Sequence, residues 1–133
     1  MTFYLQEINR IRSTVYSNEA HLMAVIRTRR FINANFEKEL SLEQLARAGF
    51  TSKFHLLRLF KRYYGQTPKQ YLIHKRIVQS IACLKRGMTV TDTCFAVGFE
   101  CPSSFSTLFK QKTGLSPAEF QKKQFLQSAL AVL

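Results

Sequence analysis

Ser52–Gly65 reads SKFHLLRLFKRYYG, and the chain carries an echo of it 49 residues later. Laid over Gly98–Phe120 at that constant shift, Gly49-Phe50 falls on Gly98-Phe99, Leu56 on Phe105 and Leu59 on Leu108. Phe60-Lys61 falls on Phe109-Lys110, Gly65 on Gly114, Pro68 on Pro117 and Tyr71 on Phe120. A period of this size, with glycines, prolines and apolar positions in step, marks a duplicated supersecondary unit.

The spacing in each copy predicts a helix with two unlike sides. Leu56, Leu59, Phe60 and Tyr63 recur at i, i+3, i+4, i+7 and form one apolar stripe. Phe54, Leu57, Arg58 and Lys61 form the opposite stripe at the same spacing. In the second copy Phe105, Leu108 and Phe109 are the buried side, and Ser103, Ser106, Thr107 and Lys110 the free one. Each free side is short or apolar near its N-terminus and basic near its C-terminus.

A shorter helix precedes each. Ser41-Leu-Glu-Gln44 reads as a capping box that opens a helix through Leu42, Leu45 and Ala46 to Gly49. Thr89-Val-Thr-Asp92 opens its counterpart, which runs to Gly98. The glycine is expected to supply the turn through a positive φ, which costs it little. A helix, a short glycine turn and a second helix make a helix-turn-helix, and the pattern occurs twice.

Composition sets the outer bounds. An apolar fraction of 46% with twelve Phe is ample for a packed core. Three Pro, five Gly and no alternating β-branched run indicate an all-α fold in 133 residues. Twenty Lys and Arg against eight Asp and Glu give +12, a self-repulsion that a polyanion would offset. Nucleic acid is the first candidate partner and an anionic membrane surface the second. No apolar run approaches the ~18 residues of a membrane span, and no signal-peptide core is present. Cys83, Cys94 and Cys101 lack metal-ligand spacing and read as small apolar residues suited to a reducing compartment. His21, His55 and His74 fall on three separate helices with few acids, so no catalytic or metal constellation and no cofactor is indicated.

In chain order, residues 1–18 read as an N-terminal arm with a weak stripe of Leu5, Ile8 and Val15. Asn18 is the expected cap of a helix from Glu19 to about Asn35, with Leu22, Val25, Ile26 and Ile32 inside and Arg27, Arg29 and Arg30 outside. The first helix-turn-helix subdomain takes 19–66. A central helix follows at 67–87, capped by Thr67-Pro68 and stopped by Gly87. Its Tyr71, Leu72, Ile77, Ile81 and Leu84 form a wide apolar band, and at about 28 Å it suits a strut. The second subdomain takes 88–126, ending in a helix opened by Ser116-Pro117 and running to about Phe125. Residues 127–133 form an unassigned tail.

FTSKFHLLRLFKRYYGQTPKQYLIHKRI and AVGFECPSSFSTLFKQKTGLSPAEF resemble the two signatures of the AraC/XylS-type DNA-binding domain. The resemblance spans about residues 20–123. It implies seven helices in two helix-turn-helix subdomains joined by a long central helix. It also implies a bacterial cytoplasmic, nucleoid-associated transcription regulator, usually an activator, with the second helix of each subdomain in the major groove. Carried over by position, the base-facing residues are Phe54, Leu57 and Arg58 in the first copy, and Ser103, Ser106 and Thr107 in the second. Lys53 and Pro102 sit at the helix starts. The chain departs from the usual pattern at Thr93-Cys94, Thr107 and Leu57, and its Gly49 comes one residue early relative to the helix before it.

These residue types suggest a division of labour. Arg58 suits bidentate contact with guanine, while Phe54 and Leu57 suit thymine methyls. The second copy offers hydroxyls, which discriminate weakly, so it is expected to position through Lys110, Lys112 and its helix N-terminus. Lys61 is the phosphate-facing counterpart of Lys110. Double-stranded DNA is the expected partner, with RNA polymerase a candidate and no membrane. One copy should suffice on DNA unless a dimerising domain lies outside this chain. The competing class is a basic helical module that binds RNA, membrane or protein without operator specificity.

Overall fold

A computed structural model describes residues 2–132 of the chain, and the side chains of residues 2–13 and 18–131. Among the described residues the secondary structure is helical throughout. The seven helices are α1 (Thr2–Asn35), α2 (Leu42–Ala48), α3 (Lys53–Tyr64), α4 (Pro68–Lys85), α5 (Val90–Ala96), α6 (Pro102–Thr113) and α7 (Pro117–Val132). They fall into two compact units. Unit 1 comprises Met1–Ala34 and Leu40–Gln70, and unit 2 comprises Asn35–Glu39 and Tyr71–Leu133.

Local chemistry sets where the helices start. The Gln44 amide donates to Ser41 Oγ at 3.1 Å, and the Ser41 amide donates back to Gln44 Oε1 at 2.8 Å. Thr67 and Gln70 repeat this box around Pro68, at 2.9 and 3.1 Å. At Thr89 the Asp92 amide donates to the hydroxyl at 3.1 Å; Asp lacks the methylene with which Gln44 reaches back. Ser116 caps α7 by accepting from the Glu119 amide at 3.1 Å. Caps of this kind stabilise a helix end by about 1 kcal/mol each.

The core of unit 1 gathers Val25 and Ile32 of α1, Leu45 and Ala46 of α2, and Leu56, Leu59 and Phe60 of α3, all buried. Thr28 is buried with them. Its hydroxyl donates to Ala24 O at 2.9 Å and approaches Leu45 O at 3.4 Å, tying α1 to α2. Unit 2 is built around Ile77, Leu84, Cys94, Val97, Phe99, Phe105 and Phe109, with Phe36 and Phe120 packed against them. Its aromatic rings run in a chain, with 5.2 Å between Phe99 and Phe105 and 5.7 Å on to Phe109 and then Phe120. Burying an aromatic of this size contributes roughly 1.5–3 kcal/mol.

The duplication reaches further back than the helix-turn-helix pairs. Arg27 lies over the Phe50 ring at 5.0 Å in unit 1, and Arg76 lies over the Phe99 ring at 5.7 Å in unit 2. Both residues of the second pair stand 49 positions after those of the first. α1 and α4 are therefore equivalent supports, each leaning an arginine on the aromatic after the turn glycine. Arg76 also donates through Nε and Nη2 to Phe36 O at 2.7 Å and Lys38 O at 2.8 Å, fixing the 35–39 segment within unit 2. Burial lowers its pKa, and Glu100 and Glu37 partly offset this.

Four features differ from the sequence expectation. α1 is continuous from Thr2, so Asn18 lies mid-helix and caps nothing. Leu22 of its expected inner stripe is 43% exposed, while Val15 of the N-terminal stripe lies outside the described side chains. The expected central helix is present as α4, with Ile77 and Leu84 of its apolar band buried in unit 2, which takes it from Tyr71 onward. α7 runs on through the supposed tail to Val132. The turn in unit 1 does not use a positive φ at Gly49, whose φ is −87°; that conformation falls on Phe50, at +55°. A Cβ on Gly49 would lie 2.6 Å from Thr28 Oγ1 and 2.9 Å from Ala24 O, so glycine is needed there for space.

Gly98 answers both demands. Its φ is +101°, and a Cβ would meet Phe36 O at 2.8 Å and Arg76 Nε at 3.0 Å. Gly98→Ala is therefore expected to lower stability by about 2–4 kcal/mol in thermal unfolding. Thr93 should move the other way. It is fully buried, and its Oγ1 has no hydrogen-bond partner among the described residues. Thr93→Val should raise stability by about 1 kcal/mol, because it removes an unpaired buried hydroxyl and keeps the shape.

Candidate nucleic-acid interface

α3 is seated by its apolar side. Leu56, Leu59 and Phe60 are all 4% exposed or less, which turns the opposite side of the helix outward. Tyr63, expected in the same stripe, is 37% exposed and lies at its rim. On the outward side Phe54 is 75% exposed and is no part of the core. Arg58 and Lys61 are exposed, and Leu57 is half-buried between the two sides. Lys53 is exposed but paired, its Nζ 3.2 Å from Glu43 Oε1. Lys61 and Arg62 occupy the last turn, where the helix dipole favours cations.

α6 is seated in the same manner by Phe105 and Phe109, both fully buried, with Leu108 half-buried beside them. Pro102, Ser103, Thr107, Lys110 and Lys112 are exposed, and Ser106 is half-buried. The hydroxyls of this side are partly engaged already. Thr107 Oγ1 donates to Ser103 O at 3.0 Å, and Cys101 Sγ lies 3.3 Å from Ser103 Oγ and 3.1 Å from Ser104 Oγ. Within each unit, the residues picked out by periodicity share one outward face of one helix.

Sequence reasoning missed two features. Phe50 is 81% exposed in a left-handed conformation and carries Arg27 over its ring; the 49-residue shift, extended to Arg27 and Arg76, points to the arginine but not to the exposure, since Phe99 is buried. Cys101 is not a buried small residue like Cys83 and Cys94 but the N-cap of α6, partly exposed. Hydrogen bonding with Ser103 and then Ser104 lowers its thiol to about 7, whereas burial raises that of Cys94. No group of three His, Cys, Asp or Glu among the described residues could hold a metal ion. No described helix is long and apolar enough to cross a membrane.

Two short helix pairs, each with its second helix packed by one side and bare on the other, define a tandem helix-turn-helix domain. The family described as helix-turn-helix domain matches residues 45–123. The lactose operon transcription activator of Staphylococcus xylosus is 32% identical over 92 residues, covering 68% of this chain and 33% of that protein. The C-terminal domain of AraT, a response regulator from Geobacillus stearothermophilus, superposes with a TM-score of 0.72 at 26% identity, over 75% of this chain and 84% of that one. The DNA-binding domain of AdpA, solved in complex with a target DNA, shares the fold with a TM-score of 0.74 at 22% identity, over 77% and 94% of the two chains. The chain belongs to the AraC/XylS family of helix-turn-helix domains. It spans about a third of the length of the first curated relatives it matches.

The thiol environment gives a direct check on the start of α6. Cys101 is partly exposed with its pKa lowered to about 7, while Cys83 and Cys94 are buried, so iodoacetamide should modify it at least about tenfold faster than either. Native-state labelling led by either buried cysteine would contradict this geometry.

Proposed function

We propose that this chain binds double-stranded DNA sequence-specifically and regulates transcription, as an activator, with α3 and α6 as its recognition helices in successive major grooves. The observation that carries this reading is the recurrence of one bare, basic-ended helix face at equivalent positions of two units. Membership of the family supports it, as does the +12 charge. So does the name of the Staphylococcus relative, a transcription activator. The role is one of binding, not catalysis. It places the chain in the bacterial cytoplasm at the nucleoid, with RNA polymerase as the second partner of an activator.

In this reading Arg58 forms the bidentate contact with a guanine edge, and Phe54 and Leu57 lie against thymine methyls. Ser103, Ser106 and Thr107 face bases through hydroxyls that can pair with several of them, so unit 2 discriminates less. Lys53, Lys61, Lys110 and Lys112 contact phosphates, and Pro102 starts α6 with its free amides towards the backbone. One copy carries both recognition helices, so it can occupy an asymmetric site. Six to ten phosphate contacts imply that affinity falls about 10³–10⁵-fold between 50 and 200 mM salt.

The test is affinity for a duplex selected from random sequence, compared with duplexes in which each half of the site is scrambled. Scrambling the half read by α3 should cost more than scrambling the other, and equal losses would refute the division of labour. Arg58→Ala should cost about 1–3 kcal/mol and relax preference at one base pair. A variant that binds every sequence more weakly by one common factor would make Arg58 a phosphate contact instead.

A further inference from the structure

The first half of α1 carries apolar side chains that the core of unit 1 does not use. Among the side chains described, the first buried position of α1 is Ala24, although the helix begins at Thr2. His21 already packs edge-on against His55 of α3 at 4.7 Å, which leaves about 28 Å of helix before the first contact with unit 1. Most of a helix's stability comes from packing of its apolar face rather than from propensity.

Its apolar residues have a different period from those that face the core. Tyr4, Ile8, Ile11, Val15, Asn18 and Leu22 follow one another at alternating steps of four and three. This is the 3.5-residue repeat of a coiled-coil seam, with Ile8, Val15 and Leu22 at the a positions and Tyr4, Ile11 and Asn18 at d. Tyr4 is 68% exposed, Ile11 53% and Leu22 43%, and Ile8 is half-buried. We propose that residues 2–22 of α1 pair with the same segment of a second copy as a parallel two-stranded coiled coil.

Charge complementarity selects the second copy as the occupant. In this register Glu7 takes a g position and Arg12 the following e position, so Glu7 of each copy faces Arg12 of the other. Symmetry makes two such pairs. Among the described residues Glu7 is paired with Arg10 of its own helix, an exposed i, i+3 pair that can be shared. β-branched Ile8 at a favours two strands, and +12 on every copy opposes association of any order, the more so the larger the assembly. Asn18 weakens the seam, so the pairing depends on concentration. The polar side mixes Gln6, Glu7 and Asn9 with Arg10 and Arg12 and lacks the continuous basic face of a helix that lies on anionic lipid. Since one copy already holds both recognition helices, pairing adds a second DNA site and its avidity. It does not depend on how DNA is read.

Sedimentation equilibrium of the intact chain, from low to high micromolar concentration, tests this. The mass should rise from 15.4 kDa to twice that value. Ile8→Asp with Ile11→Asp should stay at the monomer mass, with its thermal transition kept because neither side chain is in the core. Glu7→Arg should weaken pairing about tenfold, and Glu7→Arg combined with Arg12→Glu should restore it. A wild-type chain that remains monomeric, including one that binds phosphatidylserine vesicles through α1 instead, overturns the proposal. So does association that ignores these substitutions, or charge reversal that the second substitution does not rescue.

Discussion

Both units close on a glycine that lets a turn come within van der Waals reach of the helix or segment before it. At Gly49 the neighbours are Thr28 Oγ1 and Ala24 O of α1; at Gly98 they are Phe36 O, Glu37 C and the Arg76 guanidinium. The next helix starts at Lys53 in one unit and at Pro102 in the other, so this approach sets how α3 and α6 enter their cores. A side chain at either place would push the turn outward and unseat Leu56 and Phe60, or Phe105 and Phe109. The bare faces depend on that seating, because a helix shows solvent only the side its core does not take.

The two units solve the same problem by different means. In unit 2 a single residue, Gly98, supplies both the left-handed backbone and the missing side chain. In unit 1 the turn is one residue shorter, so Gly49 supplies the space and Phe50 takes the left-handed conformation. A bulky residue there costs of order 1–3 kcal/mol, which the stacked Arg27 offsets only in part. The arginine–aromatic pairs show that each unit includes the helix before its helix-turn-helix.

Features fixed by neighbours in sequence were readable from sequence. The box at Ser41 and Gln44, the Thr67-Pro68 and Ser116-Pro117 starts, and the buried sides of α3 and α6 all follow from spacing of three or four residues. Readings that needed a distant partner went astray. Gly49 looked like a turn glycine because Thr28 was not in view, and Cys101 looked like a buried thiol because its place at a helix start was not. Asn18-Glu19 resembled a helix start because the stripe before it is narrow and follows a 3.5 period, which a search for a core-facing period passes over. α7 outran its expected end for a related reason: after Phe120 it has few core contacts to give it a pattern, and Phe125, Leu126 and Leu130 are exposed.

The most direct measurement is a hydroxyl-radical footprint of the intact chain on a selected duplex, made where a single copy is bound. Two recognition helices in successive grooves predict two protected patches on one face of the duplex, their centres about 10 base pairs apart. Protection confined to one groove, or tighter binding to single strands than to duplex, would contradict the claim that α3 and α6 read DNA together.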